Sequence, residues 1–311
     1  GMADGVGNST ADVTLVTIAD WVDTMDFGFW SAPVQQPGTG TPGYWKNHPE
    51  AWPVNEKGER APAADWFMGV CLTDTAFQKF REAQLRDILG RFEVDGIWLD
   101  YLHWHAQFEI PDPILPETCF CERCTRQFES EMAVTVPEGD VRTKARWILS
   151  NSDSVWRKWR SNVLNKWVSD MKSVLKELQP NALLGIYYCP WYPDDFDGAH
   201  YRILGLDMKA LAGIVDVFSP MLYHHMMDRS PAWVGEYVKW LDTEGIAGNK
   251  PLIWPIVQAH NKPGIISTEE FRQVMWNGSR APASGIMMFT LHTLIAEPAK
   301  LEVMKDLYRK R

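Results

Sequence analysis

The sequence predicts an α/β fold, a (β/α)8 barrel of the TIM type that is irregular or incomplete at its N-terminal strands. Three observations carry this expectation. Short apolar runs rich in β-formers alternate with longer helical periods, the pattern of a parallel sheet covered by helices. That unit repeats five times from Asp95 onward. No glycine-rich dinucleotide fingerprint follows the first strand, which favours a barrel over a doubly wound sheet. A chain of 311 residues is long enough for one large barrel, so residues 1–311 read as a single domain.

The five strand candidates are DGIWLD (95–100), ALLGIYYC (182–189), VDVFSPMLYH (215–224), PLIWPIVQ (251–258) and GIMMFT (285–290). Each is short, rich in β-formers and punctuated by Gly or Pro. The clearest helix spans 153–178, where Val155, Trp156, Trp159, Val163, Trp167, Met171, Val174 and Leu178 recur every three or four residues. Asp153 is its expected N-cap, and Pro180 follows its end. If these strands are barrel strands four to eight, strands one to three must come from residues 1–93. DVTLVTIAD (12–20), DFGFWS (26–31) and DWFMGVC (65–71) are the candidates. Between them runs a Pro- and Gly-rich loop at about 31–65, too long for an ordinary connector. A second, Cys-rich loop lies at about 103–128.

Composition narrows the partners. A formal net charge of -9 without any Lys/Arg-rich run leaves no electrostatic footprint for nucleic acid or an anionic membrane surface. No apolar stretch approaches the roughly 20 residues that span a bilayer, and the N-terminus has no charged-then-apolar leader pattern. Five cysteines are an odd count for a disulfide framework, which favours a reducing, cytoplasmic setting. Sixteen tryptophans exceed ordinary usage. Most are expected to pack in the core, and the remainder to form platforms for a ligand with polar edges and apolar faces, such as a sugar.

The segment VDGIWLDYLHWHAQFEIPDPILPETCFCERC, residues 94–124, concentrates the chemistry. Alternation puts Gly96, Trp98 and Asp100 on one face of the strand, and the C-terminal strand end of a barrel faces its site. An acid there is either a loop cap or a functional carboxylate. Cys119, Cys121 and Cys124 offer soft thiolates at a spacing that converges on one tetrahedral zinc ion, with a fourth ligand from elsewhere. Such a closed shell has no open position, so the zinc would be structural.

The run HPEAW, NEKG and DWFMGVCLTDTAFQKFREAQLRDILGRFEVDGIWLD, followed by CFCERCTRQFE, resembles the glycoside-hydrolase-like TIM barrels of the hypothetical glycosyl hydrolase families. More distantly it resembles the β-galactosidases of glycoside hydrolase family 42. GIYYCPW, VDVFSPMLYHHM and PIVQAH extend the likeness over roughly residues 45–295. The resemblance implies an O-glycosyl hydrolase of carbohydrate metabolism with a carbohydrate substrate and no organic cofactor. It also implies a catalytic carboxylate at Asp100 and a structural zinc whose fourth ligand is Cys71, which ends WFMGVC beside strand four. The family-42 enzymes carry an Asn-Glu pair at the end of strand four, where this chain has Asp100 and Tyr101, and a Glu after strand seven that is not evident here. That departure points away from β-galactosidase activity itself.

Glycoside cleavage needs two carboxyl groups, one ionised and one protonated. Candidates for the second are Asp194, Asp195, Glu109 and Asp228. Asp194 and Asp195 are preferred because Trp191 and Tyr192 beside them would lower the local dielectric and raise a carboxyl pKa. His103, Trp104, Trp191, Tyr223, His224 and Gln258, all near strand tips, are the expected sugar contacts. His105, His225, His260 and His292 also fall near strand tips, and several converging imidazoles suggest hydroxyl donors or a second metal site. The leading expectation is a glycosidase acting on an oligo- or polysaccharide. A catalytically silent carbohydrate-binding barrel and a metal-dependent hydrolase are the alternatives.

Overall fold

The computed structural model describes residues 15–17, 30–31, 48–62, 68–249 and 251–309. Among them are nine strands: β1 (Leu15–Thr17), β2 (Trp30–Ser31), β3 (Met68–Gly69), β4 (Gly96–Leu99), β5 (Leu183–Tyr188), β6 (Val217–Leu222), β7 (Leu252–Ile253), β8 (Ile256–Gln258) and β9 (Met287–Phe289). β1, β4, β5, β6, β8 and β9 lie side by side in that order, with β7 also on β6, and every pairing in this sheet is parallel. The five strands expected from Asp95 onward therefore run parallel in chain order. The sheet is a curled half-barrel whose ends, among the described residues, are β1 and β9.

Two expectations change. The segments expected as barrel strands two and three supply β2 and β3, which pair antiparallel with each other and not with the large sheet. The edge of β4 that strand three would take is occupied by β1, in register Leu15↔Gly96 to Thr17↔Trp98. PLIWPIVQ divides into β7 and β8, which join β6 at Phe218↔Ile253 and Met221↔Ile256 respectively. Pro220 and Pro255 fall in the gap, and neither brings an N–H to the ladder.

Residues 153–178 form the expected helix, with Trp156, Trp159, Val163, Trp167, Met171 and Val174 buried. Leu178 is 39% exposed at its end. Ser152, not Asp153, holds the cap position, and Asp153 instead pairs with Arg157 one turn on at 2.8 Å. Beyond the helix, Gln179 donates to the carbonyls of Leu89 and Phe92 and accepts from Val94 N–H. One side chain thereby ties the helix end to the entry of β4. No described helix is long and apolar enough to cross a membrane.

The interior face of the sheet is set by Trp98. Its ring lies over β5, its Nε1–H reaches Ser219 Oγ on β6 at 3.0 Å, and it stacks on Trp254 with centroids 5.6 Å apart. Neighbouring strands are about 4.8 Å apart, so this reach across β5 needs a gap in the middle strand. Gly185, paired with Trp98, provides it: a Cβ there would lie 2.2 Å from the indole. We expect Gly185→Ala to lower stability by about 1–3 kcal/mol through overpacking. Gly90→Ala, in a helix with nothing near the added methyl, should leave stability unchanged or raise it by up to about 1 kcal/mol. Urea denaturation of the two variants provides the comparison.

Candidate functional site

Asp100 follows β4 directly, on the same face as Trp98. Tyr101 adopts a left-handed conformation (φ 49°), and its N–H donates to Asp100 Oδ1 at 2.8 Å. The chain thus turns sharply and leaves the carboxylate half-buried in the wall of a small pocket of about 10 Å³. Tyr187 from β5 and Met221 from β6 line that pocket in matching alternation, together with His103, Glu109 and Cys189.

Glu109 comes from the loop after β4. Gln107 and Ile114 exchange both backbone hydrogen bonds at 2.9 Å, folding the loop back on itself. Phe108 packs edge-on against Trp191 and His103, with centroids 5.9 and 5.2 Å apart. The Glu109 carboxyl is consequently buried, and its Oε2 has no hydrogen-bond partner. Burial pushes its pKa up to about 8, and the negative charge of Asp100 adds to the shift. Burial pushes His103 down to about 4, so the neutral ring donates Nδ1–H to Trp104 O at 2.8 Å.

The other expected carboxyls sit elsewhere. Neither Asp194 nor Asp195 lines this pocket. Asp194 is exposed, while Asp195 accepts from Tyr192 N–H at 2.9 Å and faces Arg229 at 3.5 Å. Asp228 is exposed as well. The aromatic environment invoked for the aspartates acts instead on Glu109, because Trp191 turns inward and is 3% exposed. Trp104 is also a core residue: its Nε1–H donates to Arg160 O, and the Arg160 guanidinium lies over its ring at 4.9 Å. Neither indole presents a face at the rim.

Tyr223 is buried, stacked on Phe289 and edge-on to His260. Gln258 is fully buried and holds loop backbone, accepting from His225 and Met226 N–H and donating to the carbonyls of His260 and Lys262. His224 Nε2 and His225 Nε2 both reach Glu270 Oε1, at 3.1 and 2.7 Å. Glu270 escapes a reading of the sequence, where Ser267 and Glu270 have the spacing of a capping box at the helix Thr268–Gly278.

Cys71, Cys119, Cys121 and Cys124 come together with all four Sγ atoms within 4.8 Å of one another. Cys71 Sγ is 3.8 Å from Cys121 Sγ and 3.3 Å from Cys124 Sγ. A tetrahedral zinc with Zn–S of about 2.3 Å sets its sulfurs about 3.8 Å apart, so the donor set fits the ion. Hydrogen bonds from the other three thiols, Cys119 foremost, hold the Cys71 thiol well below its usual range, while burial pushes Cys119 and Cys124 up. Val54 N–H donates to Cys119 Sγ at 3.3 Å, and Arg123 lies alongside, bonded to Thr73 Oγ1.

No protein-family model and no curated protein matches the chain. Solved structures do. The glycoside hydrolase domain of PgaB (BpsB) from Bordetella bronchiseptica superposes with a TM-score of 0.58 at 10% identity, over 88% of this chain and 67% of that one. The likeness is one of fold. A β-galactosidase from Halorubrum lacusprofundi gives a TM-score of 0.54 at 12% identity, covering 80% of this chain and 41% of its own. A GH42 β-galactosidase from G. stearothermophilus gives 0.53 at 15% identity, covering 82% and 39%. The chain thus spans well under half the length of these β-galactosidases.

Glu109 makes stability depend on pH. Its pKa is about 8 in the folded protein and near 4.5 when unfolded, so the folded state keeps its proton longer. The stability associated with this group is fully present below pH 4.5 and is lost as pH rises toward 8. Glu109→Gln should remove about 3 kcal/mol of the stability loss between pH 5 and pH 8. Urea midpoints at the two pH values measure it.

Proposed function

We propose that the chain is a glycosidase acting on an oligo- or polysaccharide, with Asp100 and Glu109 as its two carboxyl groups. The observation that carries this reading is the buried Glu109, its pKa raised to about 8, beside Asp100 in one pocket. A carboxyl that holds its proton at neutral pH can protonate a leaving glycosidic oxygen. Asp100, oriented by Tyr101 N–H, is the carboxylate that meets the positive charge developing on the sugar ring. A carboxyl held protonated by burial, with a second carboxyl group beside it, supplies the two roles that glycoside cleavage requires. The glycoside hydrolases that share the fold support the substrate class, and the reading takes the parallel sheet as the larger part of a (β/α)8 barrel.

The same proposal places a structural zinc on Cys71, Cys119, Cys121 and Cys124, where the sulfurs fit a tetrahedron. Held by these four sulfurs, a zinc ion would neutralise thiolate charge and would hold the loop after β4 against the segment that carries Cys71. It offers no open position to substrate.

Two expectations test the reading. On a nitrophenyl glycoside or oligosaccharide that the wild type cleaves, Asp100→Asn should lower kcat by at least about 100-fold with binding roughly kept. Glu109→Gln should spare activated aryl glycosides, impair substrates with poor leaving groups and erase the alkaline limb of the kcat profile near pH 8. Full activity of Asp100→Asn would remove that residue from the chemistry. Elemental analysis should find zinc held by the thiolates, and Cys124→Ser should lower both the zinc content and the melting temperature. Purified protein without metal in this cluster would overturn the zinc assignment.

A further inference from the structure

We propose that His224, His225 and Glu270 form a second metal site, separate from the thiolates, that binds a divalent transition-metal ion. The three donors come from two places in the chain: the turn after β6 and the first turn of the helix Thr268–Gly278. Their ligating atoms, two imidazole Nε2 atoms and a carboxylate oxygen, all lie within 4.8 Å of one another. Two donors about 2.1 Å from one ion and at right angles are about 3.0 Å apart. Glu270 Oε1 is 3.1 Å from His224 Nε2 and 2.7 Å from His225 Nε2.

The segments that carry the donors are anchored. Gln258 Oε1 accepts both His225 N–H and Met226 N–H, at 3.1 and 3.4 Å. Its amide nitrogen is anchored on the carbonyls of His260 and Lys262. Arg229 N–H closes the turn on His224 O at 2.8 Å. On the other side, Ser267 Oγ accepts Glu270 N–H at 3.1 Å, fixing the helix turn from which the carboxylate projects. These bonds order the backbone that carries the three side chains; none of them reaches an imidazole nitrogen, and the buried His224 Nδ1 has no hydrogen-bond partner.

Access and donor type define the ion. His224 is fully buried, but the His225 and Glu270 side chains are 28% and 23% exposed, so the site opens to solvent on one side. Two imidazoles and one carboxylate suit zinc, cobalt(II) or iron(II) over calcium or magnesium, which take oxygen ligands. Three protein donors leave coordination positions for water or for a ligand oxygen. His224 is three residues beyond Met221, a wall of the Asp100 pocket, so at most about 10 Å of chain separates them. The ion would therefore sit on the same rim as the paired acids. Its binding is independent of the glycosidase reading, because it needs no substrate.

Cobalt(II) titrated into wild-type protein that holds a single zinc per chain, on the thiolates, after a mild chelator has stripped any ion from the histidine site, provides the test. We expect one added equivalent, with weak visible d–d bands and no new sulfur-to-cobalt charge transfer. Glu270→Gln and His225→Ala, both at partly exposed positions, should each weaken cobalt binding at least 10-fold while retaining the thiolate-bound zinc and the wild-type melting temperature. Binding that is unchanged in both variants would overturn the proposal. So would a wild type that takes up no cobalt, or one that takes it up only with the charge-transfer band of the thiolate site. A variant that loses its melting transition is replaced in the comparison by the other, and if cobalt stays bound in the folded one the site is refuted.

Discussion

The position of the pocket rests on Trp98. An indole that spans β5 to reach Ser219 can exist only where the middle strand has no side chain, and Gly185 meets that condition. The contact ties three strands on one face of the sheet: β4 through Trp98, β5 through its partner Gly185, and β6 through Ser219, two residues beyond the partner of Gly185, Val217. Two residues further along, the same alternation brings up Asp100, Tyr187 and Met221, which line the pocket. The filled layer below thus dictates where the acid stands above it. Gly96, beneath Trp98, is equally constrained, since a Cβ there would come within 2.9 Å of Leu183 O.

Glu109 depends on a different kind of support. A buried carboxyl with an unpartnered oxygen is stable only in its protonated form and only while water stays out. The loop that keeps it dry is secured at several points. The Gln107–Ile114 bridge folds it, and Phe108 seals it against Trp191. Further along, Glu117 takes two bonds from Arg157 at 2.5 and 2.8 Å and one from Arg202 at 3.1 Å. Only then does the chain reach Cys119 and the thiolate cluster. Phe120 stacks on Trp156 of the helix 153–178 immediately after, with centroids 4.9 Å apart.

What the sequence makes legible follows from how local each signal is. The parallel strands from Asp95 onward are evident because their apolar runs and punctuation lie within a few residues. Asp100 at a strand tip and the thiolate spacing of Cys119, Cys121 and Cys124 are similarly local. Cys71 is reached by adding resemblance to position. The second acid is harder. DDFDG beside Trp191 and Tyr192 looks like an aromatic-flanked carboxyl pair, but the chain turns Trp191 inward and leaves Asp194 in solvent. The burial of Glu109 is produced by Trp191, in the loop after β5, and a bridge within its own loop, neither of which has a sequence period. Trp104 is misplaced for the same reason, since the room for it comes from Gly205, a hundred residues on, where a Cβ would lie 2.5 Å from the ring. The segment expected as barrel strand three is displaced because β1 takes its place beside β4, and it pairs instead with the segment expected as strand two.

The loop after β4 therefore joins two demands that oppose each other. An acid with a pKa near 8 needs low dielectric, while a loop exposes backbone that water would otherwise satisfy. A long loop reconciles them only if its ordering is enforced from outside, because its own contacts are few. Ion pairing at Glu117 and convergence of the thiols at the far end supply that enforcement, at a distance from Asp100 and Glu109. Opening the thiolate end would release Phe120 from Trp156 and loosen the segment leading back through Glu117 to Phe108 and Glu109. Water reaching Glu109 would then return its pKa toward the ordinary carboxylate range, and the proposed general acid would lose its proton at neutral pH. Separation of the thiols from the pocket is thus no sign of independence: through the loop they share, opening the cluster would bear on the protonation of Glu109.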